Sequence, residues 1–307
     1  MGLVLARFVT WGSLIRFSHS VFALPFAIIM LLVVSRSYPV TWQQLTLLLV
    51  CIVAARSAAM AFNRVVDARI DADNERTMGR EIPTGRVSIR EAWLLVGTAS
   101  LIFIGGSFGL GWHCGVLSVP VLGLLCGYSF VKRLSSLCHM ILGLALALAP
   151  GGVWYAVTAT WSWQPVPLMV SVMFWVAGFD ILYACQDEKF DRAHGLRSIP
   201  SSLGFVGARI VAGVLHAGSL YFLARFGLSF NLGVWFWCGA ALFAVLIASQ
   251  HMVVHQRGVC SIDQVFFTRN ALASVALLGF VSLDQLQYAR SGATTPQLQP
   301  YQNQSHR

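Results

Sequence analysis

Asn63–Arg90 reads NRVVDARIDADNERTMGREIPTGRVSIR and follows directly on an apolar run that ends near Phe62. Asp67, Asp71, Asp73, Glu75 and Glu81 lie within it and Glu91 at its edge, which is six of the twelve acids in 307 residues. Arg64, Arg69, Arg76, Arg80, Arg86 and Arg90 are interleaved with them. Around this stretch the chain is 57% hydrophobic and 11% charged, with a mean hydropathy of +0.69. Soluble domains carry about 25% charged residues, so the composition is that of a membrane protein and its expected surroundings are a lipid bilayer.

A membrane span needs about 20 mostly apolar residues. Nine candidates meet that length, near 15–35, 42–66, 91–110, 115–131, 137–157, 166–186, 203–225, 230–254 and 270–289. The expected architecture is all-α: a polytopic membrane protein of nine transmembrane helices in one domain over 1–290. A Gln-, Thr-, Pro- and Ser-rich tail, 291–307, is expected to be disordered. No cleavage pattern follows the first apolar stretch, so a removed secretory leader is not expected. The seven cysteines are scattered without a C-x-x-C pair and read as small core residues.

Basic residues in loops mark the cytoplasmic side. With nine spans, 16 of the 21 Lys and Arg fall on the side of the N-terminus, 4 on the other, and Arg56 lies within a span. That bias predicts a cytoplasmic N-terminus and puts the acidic stretch on the cytoplasmic side, as expected of a bacterial inner-membrane protein. It also accounts for the net charge of +9 without nucleic acid, which is not an expected partner.

Four of the six remaining acids form a second cluster, Asp180, Asp187, Glu188 and Asp191. Carboxylates are costly near a membrane, so two clusters at the ends of spans two and six need a reason. On a helix of 3.6 residues per turn, Arg56, Asn63 and Asp67, seven and four apart, share a stripe about 40° wide, and Asp71 extends it. Asp180, Asp187 and Asp191 repeat the spacing, with Tyr183 beside them. Arg80-Glu-Ile-Pro83 and Arg197-Ser-Ile-Pro200 then echo one another, as in a degenerate repeat offset by about 120 residues. One D-x-x-x-D at a helix end would read as a solvated face paired with arginine. Two at matched positions suit a diphosphate held through magnesium, which takes one or two carboxylates plus substrate phosphates. Arg76, Arg80, Lys132, Arg133, Lys189 and Arg197 are the cations available to neutralise a leaving diphosphate. Apolar helices would wall a long hydrocarbon tail.

These residues resemble the UbiA superfamily of intramembrane aromatic prenyltransferases. Its N-D-x-x-D-x-x-x-D motif is matched by Asn63-Arg64-x-x-Asp67-x-x-x-Asp71, and its second acidic motif by Asp180-Ile-Leu-Tyr183-Ala-Cys-Gln-Asp187-Glu-Lys-Phe-Asp191. Arg80-Glu-Ile-Pro83-Thr-Gly85 and Tyr128-Ser-Phe-Val-Lys132-Arg133 match its R-x-x-P-x-G and Y-x-x-x-K-R loops. The resemblance implies nine helices around a central cavity, capped on the cytoplasmic side by the two acidic loops. It implies that Asp67, Asp71, Asp187 and Asp191 hold Mg2+, with Asn63 beside them, and that Lys132 and Arg133 meet the diphosphate. Arg56 and Arg16 would face an acceptor's carboxylate, with Asp180 close to the metal site. In the reaction expected from these residues, Asp180 is the candidate to take the ring proton. Arg64 departs from the pattern, standing where many members carry aspartate, but falls off the Arg56–Asp67 stripe.

Arg16-Phe-Ser-His-Ser-Val-Phe-Ala-Leu-Pro25 and Gly178-Phe-Asp180 are similar to a branch labelled 4-hydroxybenzoate polyprenyltransferases. That branch is also associated with 1,4-dihydroxy-6-naphthoate in menaquinone synthesis by the futalosine route. The expected partners are therefore a polyprenyl diphosphate and an aromatic hydroxy acid acceptor, in ubiquinone or menaquinone synthesis. Two other readings remain open: the same fold with a haem or lipid acceptor, and a secondary transporter.

Overall fold

The computed structural model describes residues 12, 14, 22–259 and 262–291, the side chains of 263–266 excepted. Among these residues there is no strand. The helices are α1 (Leu24–Val34), α2 (Trp42–Val66), α3 (Ala68–Asp73), α4 (Ile89–Leu110), α5 (Trp112–Leu134) and α6 (Cys138–Thr158). They continue as α7 (Val166–Ala184), α8 (Glu188–Ala193), α9 (Ile199–Ser229), α10 (Val234–Arg257) and α11 (Ile262–Arg290).

Eight helices among the described residues are long and apolar enough to cross a membrane: α2, α4, α5, α6, α7, α9, α10 and α11. They correspond to expected spans two to nine. Of span 15–35, α1 supplies 11 residues, while 15–21, Arg16 included, lie outside the described residues, as does the tail beyond Ser291. Helix α9 starts earlier than its apolar pattern suggests. Ser198 caps it through a reciprocal box with Ser201, Pro200 lies in its first turn, and Gly204 kinks it at φ 68°. The same box, Thr41 with Gln44 and Ser88 with Glu91, starts α2 and α4. These boxes satisfy helix-end N–H groups that would otherwise be unpaired.

Consecutive helices are spatial neighbours: α4 packs on α5, α5 on α6, α6 on α7, α9 on α10 and α10 on α11. Across the two acidic turns, α2 packs on α4 and α7 on α9, while α1 lies against α6 and α11. Apolar chains gain little by leaving lipid, so close backbone approach decides which helices meet. Between α7 and α9, Ser171 Oγ donates to the Ser219 carbonyl at 2.9 Å and Ser219 Oγ donates to that of Ser171 at 2.8 Å. Gly143 of α6 faces the α7 backbone so closely that a Cβ there would lie 2.2 Å from the Met173 carbonyl oxygen. Trp175 of α7 is fully buried, its ring 5.1 Å from that of Phe26 on α1 and 5.5 Å from that of Phe243 on α10.

The two ends of the bundle differ. Trp42, Trp112, Trp161 and Trp163 are exposed at the end remote from the acidic turns, where indole suits a membrane–water boundary. At that end Arg36, after α1, donates to Asp284 Oδ2 at 3.2 Å, Gln285 Oε1 at 2.7 Å and the Phe230 carbonyl at 3.2 Å. Its guanidinium also stacks 4.2 Å from the Tyr288 ring centroid. Asp284 in turn accepts from the Gly233 N–H at 3.0 Å.

Because Gly143 leaves no room beside the α7 backbone, Gly143→Leu should destabilise the fold by about 1–3 kcal/mol. The check is a lower thermal unfolding midpoint in detergent, with Gly152→Leu, whose Cβ would meet nothing within 4 Å, as control.

Candidate active site

Both acidic motifs are built alike. Helix α2 ends at Val66, Asp67 turns the chain at φ −90° and ψ 3°, and the six residues of α3 follow. Helix α7 ends at Ala184, a 3-10 turn runs over Cys185–Asp187, Asp187 sits at φ −98° and ψ 4°, and the six residues of α8 follow. The predicted repeat is thus present in the backbone, with Asp67 matching Asp187 and Asp71 matching Asp191. The first stripe survives its turn because the Asp67 N–H still donates to the Asn63 carbonyl at 2.9 Å and that of Asp71 to Asp67 at 2.8 Å. Asn63, Asp67 and Asp71 therefore line one cavity with Asp180, Asp187 and Asp191, and its volume is about 300 Å3.

Each carboxylate has been matched to a donor. Asp67, 2% exposed, accepts from Lys132 Nζ at 2.8 Å, Arg133 Nη2 at 2.9 Å and Asn63 Nδ2 at 3.0 Å. Arg80 Nη1 donates to Asp71 Oδ1 at 2.7 Å, while the buried Asp71 Oδ2 has no hydrogen-bond partner. Asp187 forms a two-pronged pair with Arg76, whose Nε lies 2.9 Å from Oδ1, and accepts from Asn74 Nδ2 at 3.0 Å. Arg76 Nη1 also donates to the Tyr183 hydroxyl at 2.9 Å. Asp191 accepts from Ser198 Oγ at 2.8 Å, and Asp180 meets His139 at 2.7 Å. Asn74 and Arg76 belong to the first motif's loop and Asp187 to the second, so these bonds tie the two halves together. Ile82 and Val87 anchor the same loop, packing with Leu14, Val65, Ala92 and Leu95.

Three sequence expectations are changed. Arg197 does not line the cavity. Its N–H donates to the Lys132 carbonyl at 2.7 Å and its Nη1 to that of Leu134 at 2.9 Å, because the last carbonyls of α5 lack helical partners. Lys189 is exposed and also absent from the wall. Arg64, off the stripe by one residue, is nonetheless 4% exposed and in the cavity wall, since α2 faces the cavity over a wide arc. Asn74 and His139 were not singled out as site residues by pattern. Asn74 continues the first stripe seven residues after Asp67, a usable signal, whereas His139 meets its partner only across two helices.

No cluster of three or more His, Cys, Asp or Glu arranged to hold a metal occurs among the described residues; guanidinium and ammonium groups stand between the carboxylates instead. The donors are still oxygen-rich, and the unpartnered Asp71 Oδ2 leaves a buried lone pair aimed at no proton, so the set fits a hard divalent cation.

A second, apolar cavity of about 390 Å3 adjoins the first and shares Arg56, Met60, Tyr128, Leu142 and Leu146 with it. It follows α5 from Cys114 to Tyr128, about 20 Å at 1.5 Å per residue. At its far end the ring of Tyr155 lies 4.6 Å from that of Trp161. Arg56 sits at the junction, and its buried Nε has no hydrogen-bond partner among the described residues.

The Arg76–Asp187 pair should hold the 74–87 loop closed. Arg76→Ala should raise amide hydrogen exchange there about tenfold, the loss of a charge-assisted bond, with α9 unaffected; exchange followed by mass spectrometry reads this directly.

The UbiA prenyltransferase family matches residues 23–274. A protein named 4-hydroxybenzoate octaprenyltransferase from Nitrosomonas eutropha is 32% identical over 234 residues, covering 75% of this chain and 80% of its own. One of the same name from Vibrio vulnificus is 28% identical over 245 residues, covering 78% and 84%. Among solved structures, an apo UbiA homologue from Aeropyrum pernix superposes with a TM-score of 0.79 at 32% identity, over 87% of this chain and 98% of that one. An Archaeoglobus fulgidus homologue bound to DMAPP and Mg2+ shares the fold, with a TM-score of 0.70 at 17% identity, over 90% and 99% of the two chains. With that extent of agreement in both sequence and helix arrangement, this integral membrane protein belongs to the UbiA prenyltransferase family.

Proposed function

We propose that the protein transfers a polyprenyl group from an allylic polyprenyl diphosphate to a ring carbon of 4-hydroxybenzoate, for quinone synthesis. The observation that carries this reading is the pair of adjoining cavities, one charged and one apolar, meeting at Arg56. The names of the relatives support the acceptor. Nine spans with the acidic turns facing the cytoplasm of a bacterial inner membrane fit the loop charges.

Lys132, Arg133, Arg76 and Arg80 bind the diphosphate, exchanging their present carboxylates for phosphate oxygens. Asp67, Asp71, Asp187 and Asp191 would hold Mg2+, with Asn63 orienting Asp67. When bound, that ion supplies positive charge against the departing diphosphate. Tyr183 steadies Arg76, and Arg197 fixes the end of α5 that carries Lys132 and Arg133. The tail lies in the apolar cavity, whose walls keep water from the allylic centre as its C–O bond breaks. Arg56 faces the acceptor's carboxylate, a role its unpartnered Nε supports; Arg16, outside the described residues, is proposed as a second cation for that carboxylate from its sequence alone. Ring carbon forms the new C–C bond, and Asp180 takes the ring proton.

Asp67→Asn and Asp187→Asn should each lower kcat at least about 10²-fold, as should chelation of divalent metal, measured as prenyl transfer by purified protein in detergent. Undiminished transfer in either variant would refute the mechanism. Arg56→Leu should raise KM for the acceptor about 10- to 10²-fold, the loss of a charge-assisted contact, with KM for the prenyl diphosphate little changed. Competition between 4-hydroxybenzoate and 1,4-dihydroxy-6-naphthoate, with products identified by mass, tests the acceptor: exclusive prenylation of the naphthoate would overturn that choice.

A further inference from the structure

His139, at the second residue of α6, is 3% exposed and lines the charged cavity. Two contacts define its chemistry. The backbone N–H of Ile199, in the first turn of α9, is directed at its Nε2 at 3.3 Å. A backbone amide can only donate, so Nε2 is the unprotonated ring nitrogen. The proton of the neutral imidazole then sits on Nδ1, which donates to Asp180 Oδ2 at 2.7 Å. Helix α9 thereby fixes the tautomer of a residue on α6, which in turn orients a carboxylate on α7.

Asp180 differs from the other acids of the site. Asp67, Asp71 and Asp187 are held by lysine or arginine and Asp191 by a serine hydroxyl. Asp180 is held by an imidazole, whose single Nδ1–H directs one carboxylate oxygen. Its Oδ2 is occupied, whereas Oδ1 has no hydrogen-bond partner among the described residues. The side chain is 25% exposed in a residue that lines the cavity.

We propose that His139 is the positioning residue for Asp180, tying down Oδ2 so that Oδ1 faces the acceptor and receives its ring proton. This rests on Asp180 as the base of the proposed reaction. After the new C–C bond forms, the ring C–H bond breaks, its electron pair restores the aromatic ring, and the proton passes to Oδ1. His139 does not carry the proton onward, because its Nε2 is engaged by Ile199. Cys138 on α6, Tyr128 on α5 and Asp191 on α8 are the other titratable groups facing the pair. With so many groups near, an isotope effect is a cleaner probe than pH.

The test uses the purified full chain in detergent with a prenyl diphosphate, magnesium, and 4-hydroxybenzoate carrying hydrogen or deuterium at the reacting ring carbon. His139→Phe should lower kcat about 10²-fold through a misplaced base, leave both KM values nearly unchanged, and introduce or enlarge a deuterium isotope effect as proton loss becomes rate-limiting. His139→Asn, whose side-chain N–H falls near the place of Nδ1–H, should recover most of the rate. In an Asp180→Asn background His139→Phe should cost little more, since the two act through one atom. If His139→Phe does not fold, His139→Gln, with its donor displaced by one methylene, replaces it. A fall in kcat without change in the isotope effect, full additivity with Asp180→Asn, or an unaltered rate would each overturn the proposal. Absence of any prenylated hydroxyaryl acid from the unaltered protein would instead overturn the reaction itself.

Discussion

Carboxylates buried at the end of an apolar bundle are tolerated only if each is neutralised, and that requirement organises this protein. Asp67 draws Lys132 and Arg133 from α5, Asp71 draws Arg80, and Asp187 draws Arg76 across from the other half of the chain. Removing one partner of such a pair leaves an uncompensated charge, which costs far more than the pair itself contributes. The ion pairs therefore hold the two acidic turns in register and bring the 74–87 loop over the cavity. The same cations are the ones a diphosphate would need. Binding becomes an exchange of partners among groups already in place, so little charge has to be brought in from water.

Below the charged layer, shape is set by small residues. Gly143 lets α6 meet the α7 backbone, and Ser171 and Ser219 join α7 to α9 by reciprocal hydrogen bonds. Close packing on that side leaves space on the other, between α2, α5 and α6, where the apolar cavity lies. The rings of Tyr155 and Trp161 stand at its remote end.

Much of this could be read from the chain because two periods are strong. Runs of about 20 apolar residues mark eight of the helices, and a seven-and-four spacing of polar and acidic residues leads into the turns at Asp67 and Asp187. What could not be read depends on contacts between segments. Arg197 echoes Arg80 in sequence, but the free carbonyls of α5 compete for it. Arg64 looks displaced on a helical projection, yet a broad helix face still brings it into the wall. His139 has no spacing that pairs it with Asp180; its role depends on α9 beginning beside it. Helix ends at capped polar residues, such as Ser198, are likewise invisible to an apolar count.

The cluster around Arg36 has a consequence for how the protein is made. Among the described helices α1 leaves the ribosome before the others, yet its main neighbours are α6 and α11, which follow much later. Until α11 arrives, Arg36 has neither Asp284 nor Gln285, and the aromatic cluster of Phe26 and Trp175 lacks the flank that α11 closes. The N-terminal segment must then wait in the membrane as an unfinished edge. A chain truncated before Asp284 would present that edge, with Arg36 stripped of its carboxylate partner, to the quality-control machinery.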